Sequence, residues 1–140
     1  MTIFHKILAG EIPAAKIYED EAIFAFMDAF PQSVGHALII AKSGAADIFD
    51  MPSESLAAIA KFSKILARAQ RKVFNPDGIR IAQFNGEAAG QSVFYYHQHL
   101  IPAYKNKELA KHASQAVPFE ILQEQAAKLA LAVQEELQAK

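Results

Sequence analysis

The stretch from Ser53 to Val73 constrains the fold of this chain more than any other. Leu56, Ile59, Ala60, Leu66 and Val73 recur at spacings of three, four and seven, while Lys61, Lys64, Arg68 and Arg71 fall on other faces. This is one long amphipathic helix. Ser53 is placed to act as its N-cap, and Asn75-Pro76-Asp77-Gly78 stops it. The chain then turns into Ile79 to Phe84, which alternates as a half-buried strand should.

Short segments with strand character surround that helix, so the pattern is mixed α and β. Ile17-Tyr18-Glu19 and Ile23 to Met27 are rich in strand formers and are joined by Asp20-Glu21, which predicts a hairpin. Pro31 and Gly35 mark a loop before a further strand, His36 to Ile40. Asn85 to Gln91 is a loop of small residues, and Ser92 to Ile101 resumes strand character until Pro102 ends it. Pro118 opens a last helix whose stripe runs Leu122, Ala126, Leu129, Val133, Leu137. There is no internal repeat and no low-complexity segment.

With 140 residues, 52% of them apolar, one compact domain is expected. A formal net charge of -1 gives no global field toward nucleic acid or an anionic membrane, so neither is expected as a partner. The absence of cysteine excludes disulfides, thiol nucleophiles and cysteine-rich zinc sites. The first residues lack an apolar run of signal-peptide length, and nothing approaches the ~20 apolar residues of a membrane span. These features read as a cytoplasmic protein.

His97 and His99 lie two apart in a strand-like segment, so both point to one face together with Tyr95 and Ile101, while Phe94, Tyr96, Gln98 and Leu100 take the other. Two adjacent imidazoles supply a nucleophile or base and a second proton donor. The same spacing also suits ordinary strand polarity, or a metal site with His36 as a third ligand. The neighbouring loop favours a ligand. Gly86, Gly90, Ala88 and Ala89 let the backbone approach one closely, and successive amides in such a turn form a nest for an anion. Asn85, Gln91 and Ser92 add neutral donors that suit phosphate.

Gly90-Gln91-Ser92-Val93-Phe94-Tyr95-Tyr96-His97-Gln98-His99-Leu100-Ile101-Pro102 resembles the signature of the histidine triad (HIT) family, three alternating histidines separated by apolar residues. The resemblance continues through Phe4 to Ala14, Tyr18 to Glu21, Ala25 to Asp28 and Gly35 to Ile40, in order and spacing, so it runs from residue 4 to about 104. It implies an α+β fold, a five-stranded antiparallel sheet with a long helix packed on it; the C-terminal helix, read from its own stripe, lies beyond the resemblance. Residues 1–110 would form the HIT domain, and 111–140 a helical extension packed on it. Two subunits would join as a homodimer with a continuous sheet.

The resemblance implies the chemistry as well. His97 would take a nucleotidyl group as a covalent phosphoramidate, with His99 and His36 binding phosphate oxygens and neighbouring groups. Gly90, Gln91 and Ser92 would stabilise charge on the phosphoryl oxygens, and Asn85 would lie near phosphate and ribose. Asp28 would accept from the ribose hydroxyls, and Ile12 and Phe26 would line the base pocket. The substrates would be purine nucleoside phosphoramidates or dinucleoside polyphosphates, with no cofactor and no metal.

Two departures stand out. Tyr95 occupies the position of the first triad histidine, which implies retuned or reduced activity, although a backbone carbonyl there could still orient the His97 ring whatever the side chain. Ala29 is smaller than the branched residue usual beside the ribose-binding aspartate, which implies a looser pocket. Two competing readings use the same residues. One is a nucleotide-binding regulatory protein with little turnover, because of Tyr95. The other is a metal-dependent hydrolase built on His36, His97 and His99.

Overall fold

The computed structural model describes residues 1–111 and 115–139. Of the extension expected over 111–140, residues 112–114 and 140 lie outside the described residues. In chain order the elements are α1 (Ile3–Leu8), β1 (Lys16–Glu19), β2 (Ile23–Met27), β3 (Ala37–Ala41), α2 (Ser53–Phe74), β4 (Gly78–Ala82), β5 (His97–Ala103) and α3 (Phe119–Gln138). The strands form one five-stranded sheet in the order β1-β2-β3-β5-β4, and every neighbouring pair is antiparallel.

Alternation along the strands splits the core in two. Ile23, Ala25, Met27, Ile39 and Leu100 face α2 and α3, where they meet Ile59, Leu66, Leu129 and Val133. Phe24, Phe26, Leu38 and Ile40 face the opposite side, with Phe4 and Ile7 of α1 and with Tyr95. Both faces of β2 and β3 are therefore buried. One face is covered by long helices, the other by a single short one. Buried Gln70 of α2 ties the layers by donating to the carbonyls of Gly35 and Leu100, 3.0 Å each.

Several boundaries differ from the sequence reading. Ser53 is the first residue of α2 and not its cap; Pro52 holds that position with φ -61° and ψ 139°, and no side chain caps the helix there. The fixed proline φ starts the turn without a side-chain acceptor, and its carbonyl accepts from Leu56 at 3.1 Å. β5 begins at His97, not Ser92. The Tyr96 amide donates to the Ala45 carbonyl at 2.7 Å, so this segment is braced against the chain after β3 instead of joining the ladder. Nor does Pro102 end the strand. β3 pairs only as far as Leu100, and on that side the Pro102 carbonyl accepts from Ser33 Oγ, so the missing N–H of proline faces a position with no strand to bond. α1 has no counterpart in the sequence reading; a reciprocal Thr2–His5 capping box starts it.

Candidate active site

Pro13 to Ala15, α1, β2, β3, the segment before β5 and the start of α3 together enclose a cleft of about 340 Å³. That volume lies in the range of small-molecule pockets. Its polar wall consists of Asp28, Ser92, His97 and His99; Ile12 and Phe26 stand among its apolar wall. The sequence reading did not anticipate Phe4 and Ile7 of α1, Phe30, or Phe119 and Leu122 of α3 as walls. The stripe of α3 marks Leu122 as buried but does not reveal against what.

The histidine geometry fixes where the protons sit. His97 is buried, and its Nδ1 lies 2.7 Å from the Tyr95 carbonyl, which only accepts. Nδ1 therefore carries the proton, and the ring's lone pair is on Nε2. Phe4 holds the ring edge-on at 4.9 Å. His36 is turned the other way. Its Nδ1 accepts from the Gln32 amide at 3.0 Å, so its proton is on Nε2, where it meets His99 Nδ1 at 2.9 Å and Asp28 Oδ2 at 3.4 Å. His99 is left with its own proton on Nε2, as a donor. The Asp28 carboxylate is almost wholly enclosed, and Oδ1 accepts from the Phe30 amide at 2.8 Å.

Among the described residues, Asp28, His36 and His99 are close enough to share a metal, their ligand atoms all within 4.8 Å of one another. His97 is not in that group. The His36 lone pair points at the Gln32 amide and not at its two neighbours, so a cation there would first have to break that bond.

Tyr95 turns its side chain away from the cleft. Its hydroxyl donates to the Ala41 carbonyl at the end of β3, and its ring packs against Gly44, where a Cβ would lie 2.6 Å from the ring. Burial pushes the phenol above its ordinary pKa, which keeps it a donor. A tyrosine at this position thus anchors the segment by its hydroxyl while its carbonyl holds His97.

The glycine-containing loop does something other than form the expected nest. The amides of Ala89 and Gln91 bond back to the Gly86 carbonyl, and that of Gly90 to Glu87, so these three donors are engaged inside the turn. Gln91 accepts from the Gly86 amide and donates to the carbonyls of Ala46 and Val93. Asn85 bonds to Gln83 and to the Ile48 amide. Asn85, Gly90 and Gln91 do not line the cleft, whereas Ser92, next in the chain, does.

Comparison with known proteins agrees with this architecture. The chain is 44% identical over 102 residues to the protein hit of Bacillus subtilis, an alignment spanning 73% of this chain and 70% of that one. It is 40% identical over 105 residues to the adenosine 5'-monophosphoramidase of Saccharomyces cerevisiae, covering 75% of this chain and 64% of the yeast protein. A Hit-like protein from Bartonella henselae, described as involved in cell-cycle regulation, superposes with a TM-score of 0.87 at 40% identity, over 94% of this chain and 95% of that one. Residues 9–106 match the profile of the HIT domain, and with that match the chain takes its place as a member of the histidine triad family.

Proposed function

We propose that the protein hydrolyses or transfers the nucleoside monophosphate group of purine nucleoside phosphoramidates or dinucleoside polyphosphates, with His97 Nε2 as the nucleophile. The observation that carries this reading is the bond from His97 Nδ1 to the Tyr95 carbonyl, which places the proton on Nδ1 and the lone pair on Nε2. Nε2 attacks the α-phosphorus, a P–N bond forms, and the bond to the leaving group breaks, a phosphate departing as its anion and an amine taking up one proton from solvent as it leaves. The imidazole becomes cationic in the adduct, and the Tyr95 carbonyl stabilises its Nδ1–H. Water then attacks phosphorus, the P–N bond breaks, a proton passes to solvent, and neutral His97 is regenerated with nucleoside monophosphate as product.

Supporting roles follow from position. His99, held by His36, offers an Nε2–H to phosphoryl oxygens or the leaving group, and Ser92 adds a hydroxyl. Asp28 accepts from the ribose hydroxyls, and Ile12 and Phe26 pack on the base. Gln91, Gly90 and Asn85 act through the loop that presents Ser92 and not by touching phosphate. These steps need neither cofactor nor metal. The yeast relative's name as an adenosine 5'-monophosphoramidase supports the substrate class.

The working unit in this reading is a homodimer joined through β4. The β1 edge carries the Lys16–Glu19 ion pair, whereas β4 has a single charge, Arg80, and leaves Ile81 53% exposed, with Phe84 just beyond the strand also uncovered. Natural edges are usually guarded by charge, and one that exposes a large apolar side chain invites pairing; two copies of β4 meeting about a two-fold axis would continue the sheet.

The test is hydrolysis of a fluorogenic adenosine phosphoramidate by wild type and His97→Ala with chelator present, and trapping of the intermediate. The expected result is turnover in the wild type, a fall of at least about a thousandfold in the variant, and a nucleotidyl adduct on His97. A wild type that binds adenosine monophosphate yet turns over neither this substrate nor a dinucleoside polyphosphate would leave a nucleotide-binding protein. Loss of activity to chelator would mean that a metal does the chemistry.

A further inference from the structure

Apart from Asp28, Ser92, His97 and His99, every residue lining the cleft is apolar. Three of its large apolar side chains remain well exposed: Ile3 at 48%, Phe30 at 45% and Phe119 at 36%. They come from α1, from the loop after β2 and from the first turn of α3. Apolar side chains left exposed around one apolar cleft mark a surface that a ligand covers. Leu122, one turn beyond Phe119, is buried and roots the helix in the same wall.

The start of α3 is also tied to the Asp28 loop. The Val117 amide donates to the Ala29 carbonyl at 3.2 Å, the Ala110 amide to the Gln32 carbonyl at 2.8 Å, and Gln32 Nε2 to the Ala110 carbonyl at 3.0 Å. The carboxylate assigned to the ribose and the ring of Phe119 therefore sit on one hydrogen-bonded frame. We propose that the C-terminal extension is part of the nucleoside pocket and that Phe119, with Phe30, packs on the base and makes the cleft favour ligands that carry one. This rests on the nucleotide reading of the site. The apolar side chains there provide no donor or acceptor for a base edge, so selection is by ring area: adenine and guanine are accepted alike, and a ligand without a base is held poorly.

The experiment compares wild type, Phe119→Ala, Phe119→Leu and Leu131→Ala on adenosine and guanosine phosphoramidates and on ribose 5-phosphoramidate, with calorimetric binding of adenosine monophosphate and ribose 5-phosphate alongside. Leu131 is 70% exposed on α3 and does not line the cleft, so its variant matches wild type. Phe119→Ala raises KM for both nucleosides about tenfold at nearly constant kcat, with Phe119→Leu between, and leaves the base-free substrate unchanged. Equal KM in wild type and Phe119→Ala would overturn the inference. So would a matching loss on the base-free substrate, which would mean that the helix had shifted. A wild type without turnover sinks the catalytic reading alone, since weaker adenosine monophosphate binding with unchanged ribose 5-phosphate binding still supports the role of Phe119. No binding of either ligand overturns both.

Discussion

At the scale of single residues, the instructive position is Tyr95. The signature resemblance marks it as a departure, because a histidine is expected there. In the fold its carbonyl serves His97, and any residue would supply that carbonyl; the hydroxyl fixes where it points by reaching Ala41. Tyr95→Phe removes this tether and leaves a buried acceptor short of its donor, at a cost of about 1–3 kcal/mol in stability. It should lower kcat about tenfold with KM little changed, because a small misplacement of the nucleophile acts on the bond-making step. Steady-state kinetics and thermal melting check this; unchanged kcat would mean the backbone holds its place unaided. His97 and His99 stand out in the sequence by their alternation on one strand and Asp28 only by the family resemblance, and the fold brings all three to the wall of one cleft. The reversed orientation of His36 could not be read from the sequence, since it depends on the Gln32 amide reaching it across a loop.

Among elements, periodicity revealed α2, α3 and β4, whereas β1, β2 and β3 showed through strand-forming residues between turn signals, since β2 and β3 are buried on both faces and carry no alternation. Neither signal revealed where β5 starts. Ser92 to Tyr96 carries strand-forming residues, but the Ala45 carbonyl, far away in the chain, takes the Tyr96 amide, and the neighbouring Gln91 side chain takes the Val93 carbonyl. α1 was missed for a different reason: six residues are too short to show a period. α3 buries Leu129 completely against the sheet and α2, so Leu129→Ala should cost about 2–5 kcal/mol by denaturant unfolding. Loss below about 1 kcal/mol would mean that α3 docks loosely and that unfolding of the domain does not depend on it.

For the whole molecule, the α+β class and the five-stranded antiparallel sheet were expected from the ordered matches along the chain, and the structure has both. Assembly is less legible, because alternation in β4 shows which side chains face outward but not what covers them. Sedimentation equilibrium should give twice the monomer mass for wild type and a monomer for Ile81→Lys, which places a charge on the proposed seam. A monomeric wild type at tens of micromolar would remove the dimer from the account. The division of the sheet into two faces has a wider consequence. In β5, His97 and His99 look into the cleft while Gln98 and Leu100 look toward the helices, so adjacent positions answer to different demands. Random substitutions along this strand would therefore damage chemistry and foldedness in interleaved order, and either property is open to revision while the other stays intact.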